Sequence, residues 1–198
     1  MHLLQPQPVG LPGLAAMIAG GLLFFASLIR TRIGAQRGGP AARSSNLSKW
    51  GIFIQTLAFF AAGVGGVVVR LPTASLKALL EGLIVAALML LAVFLFTAAA
   101  RAMGANWSIV ARMREGHELV TGGVFARLRH PIYTAMAAFL VAMAIAFGHL
   151  ANLFVALPLF AIGTGVRVRE EERLLRDQFG PAYDDYAARV KRFLPGII

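Results

Sequence analysis

The chain has 198 residues, of which 58% are hydrophobic and 14% charged, and its mean hydropathy is +0.72. That balance excludes an ordinary soluble domain and makes lipid the solvent for most of the sequence. The net charge of +10 would suggest nucleic acid in a soluble protein, but set among long apolar runs it reports membrane topology and contact with anionic lipid heads.

Five windows are long and nearly free of charge: residues 11–29, 51–69, 78–100, 131–147 and 150–166. They hold 19, 19, 23, 17 and 17 residues, against the roughly 17 to 25 that a spanning helix needs. Backbone groups in hydrocarbon must be satisfied within their own segment, and these solid runs lack the alternation of a barrel strand, so helices are expected. The leading "MHLLQPQPVG" has no Lys or Arg to form the positive region of a cleaved signal, and the first window is expected to be retained.

Basic residues sort by connection. The first carries Arg30, Arg32, Arg37, Arg43 and Lys49, the second only Arg70 and Lys77. Residues 101–130 hold five Arg, the turn at Gly148-His149 none, and the tail from Arg167 seven basic residues. The alternation predicts an outside N-terminus and a cytoplasmic C-terminus. The expected fold class is all-α: a polytopic membrane protein of about five transmembrane helices, with a tight C-terminal helical hairpin and a cytoplasmic amphipathic helical cap. Residues 1–100 then carry the first three helices and residues 101–198 the candidate catalytic region.

Along the chain, the second window ends "AAGVGGVVV", small residues that allow close helix approach. Glu81 is the one carboxylate inside a predicted span; four residues after Lys77, it is expected to form an interfacial ion pair or to stabilise a helix start. Between the last two windows "FGHLAN" leaves room for little more than a turn, so the polar segments flanking this hairpin are expected to meet, with His149 at the opposite end as an interfacial residue. In the tail, Leu174, Leu175, Phe179, Tyr183, Tyr186, Val190 and Phe193 recur at helical spacing, broken by Gly180-Pro181, as in two amphipathic helices. There is no cysteine, and the four His show no ligand-pair spacing, so neither thiolate nor metal chemistry is expected.

The polar chemistry concentrates in two motifs. In "TGGVFARLRHPIY", Pro131 suits the first position of a helix and leaves Arg129 and His130 just outside it, where helix-start amides and the two cations can hold a carboxylate or phosphate. Boundary anchoring by Arg129 and an interfacial role for Tyr133 are the plainer alternatives. In "RVREEERLLRDQFG", Glu170, Glu171 and Glu172 point three ways around a helix; Glu170 suits a solvated face, whereas Glu171 and Glu172 face the cationic loop and can bind hydroxyls or an ammonium group.

Together, "EGHELVTGGVFARLRHPIY" and, after one hydrophobic hairpin, "REEERLLRDQFGPAYDDYAARVKRFLPG" resemble the isoprenylcysteine carboxyl methyltransferase and phospholipid methyltransferase superfamily of integral membrane enzymes. The likeness runs from about Trp107 to Gly196. The chain departs from the family pattern at Val124-Phe125, often Pro-Tyr, and at Thr134-Ala135, where a Gly often follows the Tyr. The resemblance implies a site at the cytoplasmic face for S-adenosylmethionine, with S-adenosylhomocysteine as product. Carried over by position, His117, Glu118, Leu119, Val120 and Gly122 form the cofactor loop, Arg129, His130, Pro131 and Tyr133 lie beside it, and Glu171 and Glu172 close the pocket.

The implied acceptor is lipophilic and enters sideways from the bilayer, with carboxylate O-methylation ahead of phospholipid amine N-methylation. Arg167 and Glu171 are the candidate catalytic pair, Arg167 orienting an anionic acceptor. In-line methyl transfer draws on alignment, and a carboxylate acceptor needs no general base. Two other classes remain open at this point: a nicotinamide-dependent, sterol-reductase-type membrane enzyme, for which no soluble-type dinucleotide fingerprint is present, and a transporter or assembly factor, which the motif-rich cap disfavours. No nucleic-acid or metal partner is expected.

Overall fold

The computed structural model describes residues 6–35, 41–44, 46–104, 107–109, 112–114 and 118–196. His117 of the expected cofactor loop lies outside the described residues.

Among the described residues there are six α-helices, the first five of them on the apolar windows: α1 (Leu11–Ala35), α2 (Asn46–Gly63), α3 (Leu76–Met103), α4 (Pro131–Ala146), α5 (Leu153–Phe179) and α6 (Pro181–Arg189). Ser75 caps α3 by accepting the Ala78 amide at 3.3 Å, which satisfies one of the donors left over at a helix start. Glu81 does serve a helix start, but that of α1: its carboxylate accepts the Gly10 amide at 3.3 Å. The window at 51–69 is helical only to Gly63. Glycines at 65 and 66 make helix costly there, by about 1 kcal/mol each, and Gly65 adopts a φ of +140°. The chain then runs out to pair Val69 with Val9.

The fifth window and the first amphipathic helix of the tail form one unbroken helix, α5. Its 27 residues span about 40 Å at the α-helical rise, so the span carries the Glu-rich motif as a rigid extension. Among the described residues, three helices are long and apolar enough to cross a membrane, over Leu11–Ile33, Leu76–Met103 and Leu150–Phe179, and Pro131–Ala146 is a shorter apolar helix.

The five long helices run between two ends. At one, Gln7 N–H donates to Gly148 O at 2.9 Å, Val9 N–H to Val68 O at 2.9 Å and the Asn152 side chain to Val64 O at 3.0 Å. His149 is buried there beside Gly66 O. At the other end, β1 (Ala41–Ser44) pairs antiparallel with β2 (Arg112–Arg114), and the expected polar motifs collect.

Packing divides the bundle into pairs. α1 lies on α3, α2 on α5, and α4 lies chiefly along α3 while touching α2 and α5 near the short turn that links it to α5. A chain of aromatic rings crosses all five helices: Phe96 to Phe24 at 4.8 Å, Phe24 to Phe139 at 5.2 Å, Phe139 to Phe59 at 5.7 Å and Phe59 to Phe160 at 6.2 Å between centroids. The α2–α5 contact depends on two glycines. A Cβ on Gly163 would sit 2.8 Å from Gly51 O and 3.0 Å from the Gln55 amide nitrogen, both backbone atoms that cannot turn aside. Gly163→Ala is therefore expected to destabilise the bundle by about 1–3 kcal/mol; an unchanged melting temperature in detergent would refute the close approach.

Candidate active site

Pro131 opens α4 where its missing N–H costs nothing, which leaves His130 as the N-cap residue and Arg129 before it. The chain arriving there turns at Gly123, whose φ is +61°; the neighbouring Gly122 is extended. A strap from the C-terminus then fixes the segment. Arg129 N–H donates to Lys191 O at 2.8 Å, His130 N–H to Arg192 O at 3.0 Å and the Thr134 hydroxyl to Phe193 O at 3.1 Å.

α5 brings Glu171 and Glu172 against this segment. Glu172 is 2% exposed and its carboxylate is fully committed. Arg192 grips it with two bonds of 2.8 and 2.7 Å, Arg129 Nη1 lies at 3.1 Å and His130 Nε2 at 3.2 Å. Glu171, 100° further round the helix, accepts from the Tyr133 hydroxyl, with His130 Nδ1 at 3.6 Å and Arg167 Nη2 at 3.8 Å. His130 thus stands between two carboxylates. Burial alone would lower its pKa, but Glu171 and Glu172 outweigh that cost and hold it above the ordinary value of 6.5.

Arg167 lies 5.0 Å from the Tyr133 ring centroid and donates to Gln55 Oε1 at 2.8 Å and Ile109 O at 2.6 Å. α6 covers the outside. Its Tyr186, whose phenol burial pushes up to about 12, stays protonated and donates to Phe125 O at 2.7 Å.

These groups border one cavity of about 920 Å³. Its wall is apolar, from Phe24 and Phe25 of α1, Phe59 of α2, Phe96 of α3 and Phe139 of α4, with Trp107 and Phe125 nearby. Arg129, His130, Pro131, Tyr133, Arg167 and Glu171 all line it. Glu118, Leu119, Val120 and Gly122 are not among the lining residues, and neither is Glu172. Arg129 Nε and Arg167 Nε are buried without a hydrogen-bond partner among the described residues, so each is an unused donor on a cavity-lining side chain.

A sequence model of the phospholipid methyltransferase family matches residues 80–182. The chain belongs to that family. The group of integral membrane methyltransferases that holds it also holds isoprenylcysteine carboxyl methyltransferase. No curated protein matches the chain. The matched region includes Arg129, His130, Tyr133, Arg167, Glu171 and Glu172, and excludes α1, α2 and the strap. The protein is accordingly a membrane protein of a methyltransferase family.

Gln55, Arg192, Tyr183 and Tyr186 were not foreseen as parts of the site. Gln55 had a visible signal, a lone amide within "IFIQTLAFF", where polar groups act as interhelical ties. Arg192 had none, because its partner is 20 residues away across a helix break.

Two outcomes follow. Glu172→Gln leaves Arg129, His130 and Arg192 facing an uncharged amide and is expected to cost about 3–5 kcal/mol, the scale for breaking a buried ion pair; a change within about 0.5 kcal/mol in chemical unfolding would remove Glu172 as the tie. The raised pKa of His130 contributes stability that is fully present below 6.5 and lost as pH rises through the folded value. The melting temperature of the wild type should therefore fall as pH rises from 6.5, and His130→Gln should flatten that fall. Parallel profiles for the two proteins would contradict the charge assigned to His130.

Proposed function

We propose that the chain is an integral membrane S-adenosylmethionine-dependent methyltransferase acting on a lipophilic acceptor, with a carboxylate as the leading acceptor group. The observation that carries this is the meeting of Arg129, His130, Tyr133, Arg167 and Glu171 on one large apolar cavity. Its volume is of the order of the larger ligand sites, about 300–1,000 Å³. The residues suit the donor's chemistry. Arg129 has an unused N–H for a carboxylate, Glu171 a carboxylate for an ammonium group or hydroxyls, and Trp107 and Phe125 a flat apolar surface for a base.

When bound, S-adenosylmethionine supplies an electrophilic methyl group. The protein's part is alignment and exclusion of water. Tyr133 and His130 hold Glu171 in one orientation, and Glu172 holds His130. Residues 101–198 carry the donor site, and the first three helices supply about half of the apolar wall, with the acceptor entering from the bilayer between the α1–α3 and α2–α5 pairs. The alternation of basic residues supports a multi-pass arrangement with this end in the cytoplasm.

Family membership favours a second form, N-methylation of a phospholipid amine. The amine must then be neutral when it attacks, and Glu171 is the group available to take its proton. Arg167, a second cation on a cavity-lining side chain, favours the anionic acceptor.

Calorimetry with S-adenosylhomocysteine on protein in lipid nanodiscs tests the donor site. Wild type should bind, and Glu171→Gln should bind about tenfold or more weakly, the scale of a lost charged hydrogen bond. No binding by wild type overturns the proposal. Incubation with labelled donor and a lipid extract separates its two forms, since a methyl ester releases its label in base and a methylated amine keeps it.

A further inference from the structure

Gln55 holds the cavity's innermost arginine from a helix that the family match does not include. It is 2% exposed and lines the cavity with Ile52, Thr56 and Phe59 of α2. Both ends of its amide are used. Nε2 donates to the Thr164 hydroxyl at 2.8 Å, and Oε1 accepts from Arg167 Nη1 at 2.8 Å. An amide that gives its N–H to Thr164 must show its oxygen to the guanidinium, because Arg167 has donors alone.

The rest of the Arg167 side chain is constrained to match. Its stem passes over Gly51, one turn before Gln55 on α2, where a Cβ would meet Arg167 Cγ. Nη2 donates to Ile109 O at 2.6 Å, and Tyr133 lies under the guanidinium. Glu171 stands off at 3.8 Å, so the guanidinium is tied to α2 and the loop rather than to the neighbouring acid. Its Nε is the one nitrogen with no partner among the described residues, on a side chain that is nine-tenths buried and lines the cavity.

We propose that Gln55 is a positioning residue for the acceptor: it tethers the Arg167 guanidinium to α2 at the cavity wall, so that its positive charge engages the anionic head of a long-chain amphiphile lying in the apolar cavity. Without it, the guanidinium loses its fixed place at the cavity wall and stops selecting for anions. The selection of acceptor then resides in α2, apart from the donor site in the family-matched half. This deepens the proposed function and rests on it for the identity of the cavity.

The test uses full-length protein in nanodiscs carrying Trp50→Phe, which leaves Trp107 of the cavity wall as the sole tryptophan. Quenching of Trp107 by a brominated long-chain fatty acid and by its methyl ester, at a pH where the acid is ionised, reads anion preference. Calorimetry with S-adenosylhomocysteine reads the donor site separately. The background protein should bind the acid about tenfold more tightly than the ester. Gln55→Met, which keeps the shape without the hydrogen bonds, should abolish the preference while ester affinity and S-adenosylhomocysteine affinity stay within about twofold, a change too small to signal a lost bond. Thr164→Val, which frees the amide to turn, should reduce the preference by a smaller factor and serves if Gln55→Met misfolds. Equal binding of acid and ester by the background protein, or an undiminished preference in both variants, overturns the proposal. Anion preference without S-adenosylhomocysteine binding would support the role of Gln55 and overturn the methyltransferase assignment instead.

Discussion

The buried carboxylate of Glu172 is the interaction on which the functional end of the molecule depends. A carboxylate removed from water is costly unless it is paired and hydrogen-bonded on every side. Here the partners come from separate parts of the chain: Arg129 and His130 from the entry to α4, and Arg192 from the terminal strap. Each partner alone would be another buried or half-buried cation. Together they make the burial of all of them tolerable, and in doing so they fix the strap, the start of α4 and the end of α5 in one arrangement.

The neighbouring Glu171 has the same chemistry and a different fate, because adjacent residues on an α-helix point about 100° apart. That rotation takes it from the saturated cluster to the cavity wall, where Tyr133 and His130 orient it without using all of its oxygens. One acid therefore supports the site and the other faces its contents. His130 couples the two, with one ring nitrogen toward each carboxylate.

The membrane imposes the rest of the layout. Polar groups are expensive along the apolar helices, so ion pairs gather at one end of the bundle, and backbone pairing of the N-terminal segment closes the other. Between them the α1–α3 and α2–α5 pairs are bridged by α4 and its aromatic rings, leaving an apolar cavity that runs toward the charged end. Within the helices, Gln55 and Thr164 satisfy each other and Arg167, as Thr97 and Ser27 satisfy each other.

Local physics made much of this legible in one dimension. Apolar run lengths marked the helices, Pro131 marked the start of α4 at the correct residue, and the spacing of two motifs around a short hairpin implied that Arg129-His130 would meet Glu171-Glu172, which they do at 3.1 to 3.6 Å. Three things were decided only by tertiary packing. α5 continues past the apolar window, because nothing between that window and Gly180 breaks a helix and the ion-pair cluster gives its charged turns partners. Glu172 and Glu171 part company according to which face of that helix meets the strap and which meets the cavity. The grip of Gln55 on Arg167, 112 residues apart, exists because two glycines let α2 and α5 approach. Composition and periodicity act over a few helical turns, so they determine elements and their solvent; contacts between distant helices depend on which faces pack, and that is fixed only when the whole bundle closes.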